Sequence, residues 1–170
     1  MRNAGSHCAW AQKLECLFNG GPESPRVLDK SRGACGQASL AAGGIGIGAQ
    51  AWGLAAKLRE MDLAISPDTQ TFVFEVHPEV CFWAMNSGSP MKHSKKSAPG
   101  ETERIAVLQQ AGTPPAFLTR QLERLSSGRD DFLDACSAAW TARRIALGKA
   151  ARMPAEPTRD SRGLDMAIWY

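Results

Sequence analysis

The sequence predicts an α/β fold, and three observations lead to this class. Thr71–Val76 contains the β-branched and aromatic residues typical of a largely buried strand, and Pro67 and Pro78 flank it. Several later segments have the apolar spacing of amphipathic helices. The C-terminal residues Leu164–Trp169 place larger apolar side chains at alternate positions, which is typical of a strand. Helices packed against a sheet are therefore expected.

The first part of the chain gives little structural signal. Residues 1–48 mix Gly, Ser, Cys and isolated charges without sustained periodicity, so we interpret them as a poorly defined segment. Residues 49–170 carry the folded domain. Its predicted helices are Ala49–Leu63, Glu79–Met85 with Pro78 near its start, Glu101–Ala111, Pro115–Leu125, and Asp130 to about Ala150.

Composition limits the class of protein. A chain of 170 residues with 44% hydrophobic and 22% charged side chains is an ordinary globular domain in size and content. A net charge of +3 means that attraction to nucleic acid depends on local clusters. The five cysteines are odd in number and have no CxxC pair, which argues against a disulfide framework or a zinc site. With no signal peptide and no membrane-spanning run, a cytoplasmic location without membrane attachment is predicted.

A carboxylate in the predicted strand is the first candidate for chemistry. Glu75 lies between Phe74 and Val76, and an ionised carboxylate rarely occupies such a run without a cation, a metal or several donors. Because His77 and Pro78 follow, Glu75 is predicted to lie at the end of the strand. Open α/β sheets place their functional groups at strand ends.

A second group of carboxylates begins the last predicted helix. Asp131 and Asp134 are three residues apart and so project from one helix face, and Asp130 is placed to cap. Acidic residues are common in a first helical turn because they complement the dipole, and this structural explanation is a strong alternative. Together with Glu75, however, these side chains could hold Mg²⁺ or Mn²⁺ for phosphodiester chemistry.

At these residues the sequence resembles the DUF429 family, predicted nucleases with an RNase H-like fold. The resemblance runs from about Gln50 to Tyr170 and rests on the order of its segments: QAWGLAAKLREMD, VFEVHPEVCFWAMN, KHSKKSAPGE, DDFLDACSAAWTARRIALG and RDSRGLDMAIWY. The motif DFLDA also resembles the paired-Asp helix of RuvC-type Holliday junction resolvases. The resemblance implies a five-stranded mixed sheet flanked by helices. It also implies catalytic, metal-binding roles for Glu75, Asp131 and Asp134.

The chain departs from the family pattern at its start. Family members usually open with a strand that carries an Asp in a setting such as VDGC or IDGC, and residues 1–48 contain no such motif. We therefore expect an RNase H-like domain that is incomplete at the N-terminus, with Met1 to roughly Gly36 replacing the usual start. Loss of the first-strand Asp removes a bridging metal ligand, so reduced or absent activity is expected.

Other residues have both functional and structural interpretations. His77, Lys95 and Lys96 are predicted to bind substrate phosphates, although a structural histidine and a solvated basic loop are equally ordinary. Glu79 is a further possible metal ligand, but support of the following helix turn is the simpler explanation. The glycines Gly44, Gly46 and Gly48 weakly resemble a phosphate-binding turn.

The sequence leaves three function classes open. The first is a divalent-metal nuclease acting on DNA or RNA, which the resemblance implies. The second is a non-catalytic remnant or interaction domain that completes its sheet with a partner, such as a second copy pairing through an exposed sheet edge. The third is a nucleotide-binding protein that uses the glycine run.

Overall fold

The structure is a computed structural model that describes residues 52–170 together with residues 33, 36, 37 and 40. The elements from residue 52 onward are, in chain order, α1 (Ala55–Ala64), a 3₁₀ helix (Thr69–Thr71), α2 (Pro78–Met85), α3 (Ala98–Gln110), α4 (Pro115–Arg124), α5 (Arg129–Ala146), β1 (Arg152–Met153) and β2 (Ile168–Trp169). The described fold is thus mixed and mostly helical. The glycine run Gly44, Gly46 and Gly48 lies outside the described residues, as does most of segment 1–48.

The chain divides into two compact units. Of the continuously described chain, one contains residues 52–74 and Met153–Ala167, and it includes α1 and the 3₁₀ helix. The other consists of Glu75–Arg152 and Ile168–Tyr170, and it includes α2 to α5. Every predicted site residue lies in this second unit.

The second unit is built on a core shared by its four helices. Each buried side chain removes apolar surface from water, which stabilises the fold by roughly 1.5–3 kcal/mol per large residue. Leu118 and Leu122 illustrate the pattern, because residues four apart lie on one face of α4. The buried core consists of Phe82, Val107, Leu108, Leu118, Leu122 and Leu133. This packing holds α2, α3 and α5 together, the helices that carry the candidate site.

Helix boundaries follow local signals closely. Ser97 caps α3, its side chain accepting a hydrogen bond from the Gly100 N–H at 3.2 Å. At the end of α5, Gly148 has a left-handed φ of 64°, and its N–H and that of Lys149 bond back to the last turn. This C-terminal glycine ends the helix at Ala146, whereas the sequence predicted an end near Ala150.

The predicted strand Thr71–Val76 is wrong over most of its length. Thr71 belongs to the 3₁₀ helix, and Phe72 is exposed over 69% of its surface. The cause is local: the Ser66 and Thr69 side chains each accept a hydrogen bond from the other's backbone N–H, at 2.7 and 3.2 Å. These bonds favour a helical turn over an extended chain. Only Val76 takes part in a bridge, parallel to Trp169.

The C-terminal strand is confirmed at Ile168–Trp169, which forms β2. It pairs with β1 in a two-stranded sheet, and Ala151 and Tyr170 exchange both backbone hydrogen bonds, at 2.8 and 2.9 Å, as antiparallel neighbours do. The RNase H-like mixed sheet is not found among the described residues. Within that same part of the chain, every helix is too short or too polar to cross a bilayer.

Candidate functional site

The start of α5 positions three carboxylates. Gly128 precedes the helix with a left-handed φ of 69°, a conformation that glycine adopts without steric cost. Asp130 and Asp131 lie in the first turn, and Asp134 follows one turn later. Asp130 was predicted to cap this helix, but the capping position is Gly128 and makes no side-chain cap. The Asp130 carboxylate is instead bound by a lysine, Lys96.

Two lysines of the preceding loop contact these carboxylates. Lys95 Nζ donates to Asp134 Oδ2 at 2.6 Å, and Lys96 Nζ donates to Asp130 Oδ2. Both aspartates are mostly buried, with 16% and 17% of their side-chain surfaces exposed. The Lys96 bond is the main reason why the pKa of Asp130 is lowered and that of Lys96 raised. Charge on Asp131 and Asp134 also contributes to the raised pKa of Lys96.

The second carboxylate oxygen of Asp134 is in a different situation. Asp134 Oδ1 is buried and accepts no hydrogen bond. A buried carboxylate oxygen that lacks a donor is a costly arrangement in a folded protein. This oxygen therefore has an unused capacity to accept a hydrogen bond.

His77 lies within electrostatic range of the same residues. Burial is the main cause that lowers the pKa of its imidazole, whereas the negative charges of Glu79 and Asp134 raise it and Lys95 lowers it further. The charges of Lys95 and Asp134 therefore act on the His77 imidazole, whose predicted role in substrate binding stays a prediction. His77 directly precedes α2, and its backbone is extended.

Glu75 has a different environment. Its backbone carbonyl accepts a hydrogen bond from the Trp169 N–H at 2.8 Å, next to the bridge at Val76. The residue is exposed, yet desolvation raises the pKa of its carboxyl group. These two observations agree if surrounding protein atoms displace part of the solvent around a side chain that water still reaches.

Backbone hydrogen bonds hold the loop that carries Lys95 and Lys96. Lys92 and His93 donate their N–H groups to the Glu103 carboxylate at 2.9 and 3.0 Å, which lowers the pKa of Glu103. Gly100 approaches the loop so closely that an added Cβ would lie 2.0 Å from the Ser94 carbonyl oxygen. These contacts fix the position of the loop relative to α3.

Comparison with known proteins gives one match. The sequence model of a family described as "Protein of unknown function (DUF429)" matches residues 21–159. The chain belongs to the DUF429 family. No curated protein and no solved structure matches it. The DUF429 match starts before Gln50, where the sequence analysis placed the beginning of the resemblance.

The carboxylates at the candidate site of this DUF429 chain are of the right chemical type for a divalent cation. Carboxylate oxygens are the ligands that Mg²⁺ and Mn²⁺ prefer, and Asp134 Oδ1 is buried and has no donor. However, among the residues described here no group of three or more His, Cys, Asp or Glu side chains is arranged to hold a metal ion. The predicted metal roles of Glu75, Asp131 and Asp134 remain predictions.

Several partners in the site were not predicted from the sequence. Asp130 was predicted only as a helix cap, and neither Lys95 nor Lys96 was predicted to pair with a carboxylate. The contact between Arg104 and Glu79 was not predicted either. The spacing between these partners is 25 to 39 residues, so no local pattern reports the contacts.

Proposed function

We propose that the chain is a nucleic-acid phosphodiesterase that works with Mg²⁺ or Mn²⁺. The observation that carries this proposal is the ion pair between Lys95 and the mostly buried Asp134, whose second carboxylate oxygen accepts no hydrogen bond. Anionic oxygens for a metal beside cationic groups for a phosphate suit a phosphodiester substrate. The resemblance to nucleases of RNase H-like fold supports the same chemistry.

Within this proposal the side chains have separate roles. Asp134 would be the first metal ligand, with Asp131 and Glu75 as the further carboxylates. Lys95 and Lys96 would bind backbone phosphates, and His77 would orient one of them through its ring nitrogens. A divalent ion held there would supply the positive charge that stabilises displacement at phosphorus.

A cleavage assay tests the proposal. Fluorescently labelled single- and double-stranded DNA and RNA are incubated with the protein in Mn²⁺, in Mg²⁺ and in EDTA. We expect slow cleavage in Mn²⁺ or Mg²⁺ and none in EDTA. Asp134→Asn should lose this activity, and Glu123→Gln should keep it. Glu123 is an exposed carboxylate on α4 and so provides a matched charge control. Absence of cleavage on every substrate would contradict the proposed activity.

A second candidate function is a non-catalytic interaction domain, and one observation favours it. Phe72 and Val73 are exposed apolar side chains in a segment whose composition suits a strand. A second copy of the chain could pair with this segment and cover both side chains. Analytical ultracentrifugation tests this: a dimer that Phe72→Lys disrupts would support it, and a monomer at all concentrations would contradict it.

A further inference from the structure

The C-terminal end of α5 carries basic side chains that no carboxylate neutralises. Arg143 and Arg144 lie in the last turn of the helix, and Lys149 follows shortly after it. No Asp or Glu occurs between Asp134 and Glu156. In the described part of the chain the ion pairs engage other cations, and none engages Arg143, Arg144 or Lys149. This end of the helix is therefore a patch of uncompensated positive charge.

Cations at a helix C-terminus also have an ordinary structural role, because they complement the helix dipole. Arg144 has such a role, since its Nη2 donates to the Lys149 carbonyl at 2.6 Å, just beyond the helix. Arg143 and Lys149 are exposed, so water surrounds their charged groups. The dipole explains the sign of the charge at this end of α5, but it leaves these two cations able to bind an anion.

An aromatic ring lies within the same patch. The Arg144 guanidinium lies over the Trp140 ring, with its carbon 4.6 Å from the ring centre. Trp140, Arg143, Arg144 and Leu147 are spaced i, i+3, i+4 and i+7, so they share one face of the helix. Trp140 is partly exposed, and Leu147 is exposed over 56% of its surface. The patch thus combines a planar stacked pair with two exposed positive charges.

A single-stranded nucleic acid carries both groups that such a patch can bind. Its phosphates attract cations, and its unpaired bases stack on aromatic rings and on arginine guanidinium planes. A duplex presents phosphates, but its bases already stack on one another. A membrane surface would require a broader apolar face. Here the neighbouring exposed positions of α5 hold only alanines, Ala139, Ala142 and Ala146.

We infer that Trp140, Arg143, Arg144 and Lys149 form a binding site for single-stranded nucleic acid, the basic aromatic patch. Arg143 and Lys149 bind two backbone phosphates, and a base stacks on the pair formed by Trp140 and Arg144. This binding requires no metal ion. The inference deepens the proposed function and rests on it for the choice of a nucleic acid as the ligand.

The first experiment measures the charge contribution. Fluorescence anisotropy in EDTA follows the binding of a labelled oligothymidylate at several salt concentrations. The double variant Arg143→Gln/Lys149→Gln should lower the slope of log K against log salt by about 1.4, at about 0.7 for each phosphate contact on a single strand. Arg120→Gln/Arg124→Gln removes two exposed arginines of α4 and is the matched control. Its slope should equal that of the wild type.

The second experiment tests the stacking. Trp140→Leu keeps an apolar side chain without a ring and should bind the oligothymidylate about 5-fold more weakly or worse. Trp140→Phe keeps a ring and should stay closer to the wild type. Binding of a duplex of the same length should be the same in Trp140→Leu and the wild type. Circular dichroism establishes that each variant is folded, and if Trp140→Leu does not fold, the salt slopes decide.

The outcomes separate the inference from the proposed function. A wild-type salt slope in Arg143→Gln/Lys149→Gln would overturn the inference, and so would an equal loss in the α4 control. Binding to phosphatidylserine vesicles but not to the oligonucleotide would also overturn it, because the patch would then be a membrane site. Metal-dependent cleavage in either case would leave the proposed function standing. Oligonucleotide binding through the patch without cleavage on any substrate would support the inference and contradict the proposed activity.

Discussion

Arg104 donates hydrogen bonds to both carboxylate oxygens of Glu79, at 2.7 and 2.9 Å, and so connects α3 to the first turn of α2. The guanidinium is buried, with 3% of the side chain exposed, and it lies 5.4 Å from the centre of the Phe82 ring. Its other terminal nitrogen donates to the His93 and Gly100 carbonyls, each at 3.2 Å. One side chain therefore connects α2 and α3 to the lysine loop, Lys92–Ser97.

Removing Glu79 should destabilise the second unit through Arg104. Glu79→Ala leaves a buried guanidinium without its carboxylate, and a charged hydrogen bond of this kind is worth roughly 1.5–3 kcal/mol when well buried. Because 43% of the Glu79 side chain is exposed, we expect a loss near the lower end, about 1–2 kcal/mol. Urea denaturation of Glu79→Ala and of the exposed control Glu123→Ala measures the difference. Equal unfolding midpoints would show that the ion pair between Glu79 and Arg104 makes no net contribution to stability.

Gly100→Ala should displace the lysine loop. The added Cβ would lie 2.0 Å from the Ser94 carbonyl oxygen, a backbone atom that cannot rotate away. Overpacking of this kind costs roughly 1–3 kcal/mol. Gly53→Ala is the control, because its Cβ would meet nothing within 4 Å. Thermal unfolding should show a lower Tm for Gly100→Ala and an unchanged Tm for Gly53→Ala. A Gly100→Ala protein as stable as the wild type would mean that the loop yields easily.

The sequence predicted the helices more accurately than it predicted the strands. The helices were predicted well because their signals are local: Pro78 and Pro115 mark helix starts, and the carboxylates of α5 stand where a helix dipole favours them. The strand at Thr71–Val76 was not, because residue type alone favours an extended chain and says nothing about a pairing neighbour. There the reciprocal bonds of Ser66 and Thr69 decide the conformation.

The sequence indicated candidate side chains for the site but not the contacts between them. Lys95 and Asp134 were both predicted as site residues, and the structure joins them in a hydrogen bond that was not predicted. The pairing of each lysine with a particular aspartate depends on how the loop sits on α3, which in turn depends on Glu103 and Gly100. A contact of this kind is set by tertiary packing and has no signature in the sequence.

Glu101 should contribute to stability at neutral pH and lose that contribution in acid. Its carboxylate accepts hydrogen bonds from Arg129, and this bond is the main cause that lowers its pKa from the ordinary value of 4.5. Because the pKa of this carboxyl group is lower in the folded state than in the unfolded state, its ionisation stabilises the fold at pH values above the unfolded pKa. That stabilisation is lost as the pH falls through the folded pKa. In urea titrations between pH 7 and pH 3, Glu101→Gln should be less stable than the wild type at pH 7, and the gap should close in acid. A gap independent of pH would assign the loss to packing instead of ionisation.

Glu75 should show the opposite dependence. Desolvation raises the pKa of its carboxyl group above the ordinary value of 4.5, so the folded protein favours the protonated form. The sign follows from proton linkage: the folded state binds the proton more tightly than the unfolded state, so stability falls as pH rises from 4.5 through the folded pKa. Glu75→Gln cannot ionise and avoids this penalty.

Urea titrations between pH 7 and pH 3 test this prediction for Glu75 as well. We expect Glu75→Gln to match the wild type below pH 4 and to exceed its unfolding midpoint at pH 7, the reverse of Glu101→Gln. Bound Mn²⁺ should reduce the advantage if Glu75 is one of the metal ligands, because the ion stabilises the carboxylate and lowers its pKa. An advantage that Mn²⁺ leaves unchanged, while Asp134→Asn still abolishes Mn²⁺ binding, would remove Glu75 from the metal site and leave Asp134 in it.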